Sequence, residues 1–258
     1  MRALHTAATG MMAQELNVEI ISNNIANMRT TGYKKQRAEF QDLLYESLRR
    51  VGSTTSDQGT MMPAGVQVGS GVRTAATPRV MTQGDVLPTE KDLDVAIRGE
   101  GFFRIQLPDG RTAFTRDGSF ERDAQGQLVT ADGYLVDPGI TIPENASGIT
   151  INKQGTVSGT VPGQTAPTDF GQLQLSRFVN KTGLQAIGDN LFLETAASGA
   201  PQDGTATSEG FGDLLQGYLE QANVNAVSEI SDLIAAQRAY EMNSKVVSAA
   251  ETTFEFIS

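Results

Sequence analysis

The chain has 258 residues, 20 Lys and Arg against 30 Asp and Glu for a formal charge of −10, and no cysteine. This balance disfavours nucleic acid as a partner, because a phosphate-binding face must be basic. The missing cysteines exclude disulfides, thiol nucleophiles and thiolate metal sites; His5, the single histidine, leaves no multi-histidine metal centre, and its place a few residues from the N-terminus, where chains usually fray, argues against a Ser-His-Asp triad.

At a period of seven, Leu4, Met11, Val18 and Ile25 fall on one line and Ala7, Gln14, Ile21 and Met28 on its neighbour. The spacing predicts a helix over 1–30 with a narrow apolar stripe that meets another helix; Gly10 is its weak point. No apolar run approaches the roughly 18 residues that span a bilayer, and the start lacks the pattern of a secretory signal. Residues 31–79 read as an extended connector, rich in Gly, Ser and Thr from Arg50 to Pro78.

From Asp94 to Leu107 the residues Val95, Ile97, Phe103, Ile105 and Leu107 alternate at period two, as strands do. The turn signals Asp109-Gly110, Asp117-Gly118, Gln125-Gly126 and Asp132-Gly133 then separate short apolar pieces. They predict an antiparallel meander within a β domain spanning 80–195, with further strands at 140–142, 149–151, 173–179 and 191–193. Residues 196–212 read as a return connector.

The last segment, 213–258, reads as the C-terminal helix of the inner assembly domain. Ala226, Leu233, Tyr240, Val247 and Phe254 recur every seventh residue, flanked by Ile230, Ala236, Ala250 and Ile257. Residues 226–257 as one helix would reach about 48 Å. The predicted fold class is α+β: long terminal helices paired as a coiled-coil-like inner domain, with an antiparallel, meander-rich all-β domain between them.

A lone amphipathic helix is marginal in water, so two apolar stripes at opposite chain ends need partners. Two arrangements satisfy them equally well. The helices can pair within one chain as the stalk of a soluble monomeric binding module, or the pairs can also pack on other copies through heterologous contacts that propagate as a helical polymer. For chemistry, Gly69-Ser70-Gly71 and Gly99-Glu100-Gly101 lack the third glycine of a dinucleotide fingerprint, and no glycine loop leads to a phosphate-binding lysine. Asp92 and Asp94, or Asp117 and Glu121, are the carboxylate pairs a hydrolase would use, but they read as ordinary turn and surface acids. No catalytic, cofactor-binding or metal-binding residue is assigned.

Specific residues favour the polymer. Ser22-Asn23-Asn24-Ile25-Ala26-Asn27 followed by Thr31-Gly32-Tyr33-Lys34 resembles the N-terminal signature of the bacterial flagellar rod and hook family. Gly217-Tyr218-Leu219-Glu220, Asn223-Val224-Asn225 and Gln237 through Lys245 resemble its C-terminal signature. The middle is similar too, at Asp94 through Phe103 and at Phe114-Thr115-Arg116-Asp117-Gly118-Ser119-Phe120. Length and the stretches Leu43-Leu44-Tyr45 and Val66 through Val72 look most like the distal-rod branch, with a proximal-rod branch as the alternative.

The resemblance implies a structural subunit that polymerises into a hollow drive shaft. Its implied partners are other copies of itself, proximal rod proteins, hook protein, the peptidoglycan and outer-membrane ring proteins, and the flagellar type III export apparatus. It also implies a basal-body location spanning the periplasm, reached without a cleaved signal peptide. The self-assembly surface is then expected to use Leu4, Met11, Val18, Ile21, Asn23, Asn24, Ile25 and Asn27 on the first helix. On the last it would use Ile230, Leu233, Gln237, Arg238, Tyr240, Asn243, Val247 and Phe254. Asn23 and Asn24 read as register-fixing amides, Asn27 as a left-handed helix stop, and Tyr240 as a core knob. Lys34, Lys35 and Arg37 read as a solvated basic face.

Overall fold

The computed structural model describes residues 2–49, 64–163 and 166–255. Helices stand at the two ends and an antiparallel β region lies between them, so the class is α+β. The chain divides into two compact units, one drawn from 1–25, 36–78 and 225–258 and the other from 26–35 and 79–224.

The first unit contains α1 (Arg2–Ala26) and α2 (Ala226–Glu255). Along α1, Ala7, Ala13, Ile20, Ile21 and Asn24 are buried. The predicted continuation to residue 30 gives way to turns after Ala26. At the other end, Asn225 sets the start of α2: its Oδ1 accepts the backbone N–H groups of Val227 at 3.0 Å and Ser228 at 3.2 Å. Both donors would otherwise be orphaned in the first turn. Asn225→Ala is expected to cost about 1 kcal/mol of helix stability, read as faster amide exchange over the first turn of α2.

Much of the segment read as a connector is a two-stranded antiparallel ribbon. Glu39–Asp42 pairs with Val72–Ala76, and Tyr45–Arg49 with Val66–Gly69. The part of the expected connector at 50–63 lies outside the described residues. At Gly71 a Cβ would lie 2.3 Å from Thr9 Oγ1, so the ribbon approaches α1 through bare backbone.

The second unit is built on one antiparallel sheet. From one edge it runs Gln185–Gly188, Leu191–Leu193, Thr112–Thr115, Phe102–Gln106, Leu135–Asp137, Leu128–Thr130 and Phe120–Arg122. Gln174–Arg177 also pairs with Phe102–Gln106 and carries Gln202–Thr205 on its other side. A three-stranded sheet, Ser147–Ile151, Thr156–Thr160 and Thr168–Gln172, accompanies it. Successive side chains of a strand face opposite ways. Phe103 therefore joins the large core with Ile105, Phe120, Leu128, Ile142 and Leu175, while Phe102 joins a smaller one with Phe114, Phe178, Leu184 and Phe192.

Four strands differ from the sequence reading. Val95, Ala96 and Ile97 are all fully buried, so this strand is covered on both faces instead of one. Gln202–Thr205, inside the expected return connector, is a strand. Asp213–Gln216 and Tyr218–Glu220, inside the segment read as the C-terminal helix, are strands pairing with Val95–Arg98 and Val86–Pro88. A short apolar run such as Leu214-Leu215 suits either element, and here the partner strand decides.

Candidate functional site

The second unit buries the chain just past α1 together with the chain just before α2. The organising group is the carboxylate of Glu220, 1% exposed. Its Oε1 accepts the Lys34 ammonium and the Gly84 N–H, the latter at 2.9 Å; its Oε2 accepts Arg116 Nε at 2.9 Å. Lys34 Nζ also donates to Thr82 O at 2.8 Å, and Arg116 Nη1 to Gly99 O at 2.9 Å and Gly101 O at 2.7 Å. The main chain closes the same joint, since Gly32 N donates to Glu220 O at 2.8 Å. Burial pushes the Lys34 pKa below the usual lysine range, and the Glu220 carboxylate opposes that shift.

Amides brace the periphery. Asn223 Oδ1 accepts Lys35 N at 2.8 Å while its Nδ2 donates to Val80 O at 2.7 Å. Asn190, in a tight turn with Asp189 where both residues take positive φ, donates from Nδ2 to Thr31 O at 3.0 Å. Charges this well paired are held in one geometry; the joint fixes position and offers no free acid, base or nucleophile.

Lys34 therefore corrects the sequence reading of a solvated basic face. Its side chain is 1% exposed, whereas Arg37 stays at the surface with Glu39 as its partner. A run of charges reads as solvent-facing when its partner is far away in sequence, and Glu220 lies 186 positions on. Arg116 and Glu220 had no assigned role; their only signal was membership of the family-like motifs. Glu229, buried in the first turn of α2, had none.

The expected assembly residues divide by exposure. Ile21 and Asn24 are buried; Leu4, Met11, Val18, Ile25, Asn27, Leu233, Asn243 and Val247 are half-buried; Asn23, Ile230, Gln237, Arg238 and Tyr240 are exposed. The side chain of Phe254 lies outside those described. Asn24 is held by three hydrogen bonds: its Nδ2 donates to Gln36 O at 2.9 Å and to Glu229 Oε2 at 3.2 Å, and its Oδ1 accepts Gln36 N at 3.0 Å. Asn27 follows the helix end as expected but without a positive φ, which falls at Gly32 instead. On α2 an apolar face points outward, with Val227 76%, Ile230 49%, Ile234 45%, Met242 62% and Val246 48% exposed.

A β body whose two chain crossings are locked by paired charges, with a helix at each chain end, defines a structural scaffold subunit. Family models match over three stretches: flagella basal body rod protein at 4–34, flagellar hook protein FlgE/F/G D1 domain at 96–159, and flagellar basal body rod FlgEFG protein C-terminal at 215–258. The chain is 58% identical to the flagellar basal-body rod protein FlgG of Caulobacter vibrioides over 258 residues, covering 100% of this chain and 98% of that protein. It is 48% identical to the FlgG of Buchnera aphidicola subsp. Acyrthosiphon pisum over 99% and 98% of the two chains, and 34% identical to that of Bacillus subtilis over 97% and 96%. The chain belongs to the flagellar basal-body rod and hook family, whose members are structural proteins and not enzymes. Each matched stretch supplies one member of the buried triad: Lys34, Arg116 and Glu220.

Proposed function

We propose that this chain is a structural subunit of the flagellar basal-body distal rod. It polymerises helically into a hollow shaft that passes motor torque to the hook and leaves a central path for export. In this reading α1 and α2 pair as a coiled-coil-like inner domain, and the β domain, carried on by the strands up to Glu220, forms the outer layer of the shaft. Its neighbours are further copies of itself, proximal rod proteins, hook protein, the peptidoglycan and outer-membrane rings, and the type III export apparatus, at a location spanning the periplasm.

The observation that carries the reading is the outward apolar face of α2, where Val227 and Met242 are 76% and 62% exposed. Apolar side chains aligned on one exposed helix face mark a surface for a partner, and heterologous contacts between copies generate a filament. Of the expected assembly residues, Ile230 lies on this face, whereas the heptad line Leu233, Tyr240 and Val247 runs along the opposite side of α2, the side that carries buried Glu229 and Ala236.

Because Val227, Ile234 and Met242 are exposed, changing all three to Asp leaves the subunit's own packing in place. The triple variant is expected to sediment as a monomer under conditions where the native chain forms filaments visible by electron microscopy. The amide protection of the β sheet should be unchanged. Normal filaments from the variant would overturn the assembly reading.

A further inference from the structure

We infer that Gly10 and Glu229 set the register in which α1 and α2 lie against each other, an inference that rests on the helix pairing proposed above. Two contacts between the helices carry it. Asn24 Nδ2 donates to Glu229 Oε2 at 3.2 Å, and at the other end a Cβ on Gly10 would lie 2.9 Å from Asn243 Nδ2 and 3.2 Å from its Cγ. The same number of residues separates Gly10 from Asn24 on α1 and Glu229 from Asn243 on α2, so the helices run antiparallel in a single register across both contacts. That span is about 21 Å of helix axis.

The two contacts act differently. Asn24 and Glu229 are 2% and 4% exposed, and a slip of one turn would separate a buried carboxylate from its amide donor. Gly10 costs helix stability relative to alanine, and the Asn243 amide occupies the space that its missing side chain leaves. The contact line runs through Gly10 and Asn24, one position before Met11 and Ile25 of the apolar line. Apolar knobs alone permit slips by a turn or a heptad; a bare-backbone notch at one end and a buried polar pair at the other do not.

The absence of native cysteine makes the test direct. Asn17 and Ala236 lie midway between the contacts on their helices and face each other in this register. In the full chain, Asn17→Cys/Ala236→Cys is expected to oxidise within one chain about tenfold faster than Asn17→Cys with Leu233→Cys or Tyr240→Cys, since a disulfide does not bridge Cα atoms more than about 7 Å apart. Adding Gly10→Leu should abolish that preference, and Gly10→Leu/Asn243→Ala, which moves the notch to α2, should restore it. Asn243→Leu fills the same contact from the other side and serves where Gly10→Leu does not fold. Equal oxidation of the three pairs, or a preference unchanged by Gly10→Leu and by Asn243→Leu, would overturn the register assignment while leaving the helix pair standing. Disulfides forming only between chains would overturn the pairing itself and the register with it.

Discussion

Gly32→Ala is expected to destabilise the β-rich unit by about 3 kcal/mol or more, a fall in Tm of about 6–12 °C for a unit of this size. Two causes add. Gly32 has φ +68, a conformation that costs an L side chain about 1–2 kcal/mol. A Cβ there would also lie 2.7 Å from Asp117 N and 2.9 Å from Arg116 C, which are backbone atoms and cannot rotate away. Yielding would shift the Arg116 segment, which holds Glu220, and would pull at the bond from Gly32 N to Glu220 O. Gly133 is the control: its φ is +84 with nothing within 4 Å of a built Cβ, so Gly133→Ala should cost only the conformational part, about 1–2 kcal/mol. Equal Tm losses in the two variants by calorimetry would mean that the close approach to Arg116 and Asp117 contributes nothing.

The different fates of these glycines show what the sequence made legible. Asp109-Gly110 and Asp132-Gly133 are local turn signals, and both glycines take positive φ in turns beside the predicted strands. Asp117-Gly118 looks the same in sequence and differs in structure: a Cβ at Gly118 would lie 1.7 Å from Val95 O, so this glycine admits a neighbouring chain. Periodicity located both helices because amphipathic spacing is a local property, and the cap at Asn225 sharpens a boundary that periodicity left loose. The ribbon at 39–76 escaped because Tyr45–Arg49 is exposed at every position and leaves no alternation to read. The Lys34, Arg116 and Glu220 joint escaped for a stronger reason: its members come from three distant stretches, and a buried charge announces itself only through its partners.

Glu220→Leu should produce the largest loss, about 3–5 kcal/mol, because it strands two buried cations and leaves the Gly84 N–H without its acceptor. Lys34→Met should cost less, about 1–3 kcal/mol, since Glu220 keeps Arg116 and Gly84 and only Thr82 O loses a donor. In the double variant the Lys34 charge no longer needs a partner, so a double-mutant cycle should return a total below the sum of the single losses. The pH dependence fixes the sign. Burial holds the folded-state pKa of Lys34 below its ordinary 10.5, so between those values the native state binds fewer protons than the unfolded chain and stability rises with pH. Removing the Glu220 carboxylate removes the largest influence raising that pKa, which extends the window to lower pH. The deficit of Glu220→Leu relative to the native chain should therefore be greatest below both folded-state pKa values of Lys34, shrink as pH climbs from the variant's value to the native chain's, and stay level from there to 10.5. Chemical denaturation at a series of pH values measures this directly. A deficit that stayed constant, and persisted unchanged in the Lys34→Met background, would mean that the loss comes from packing and the Gly84 contact, and that the ion pair with Lys34 contributes no specificity to the joint.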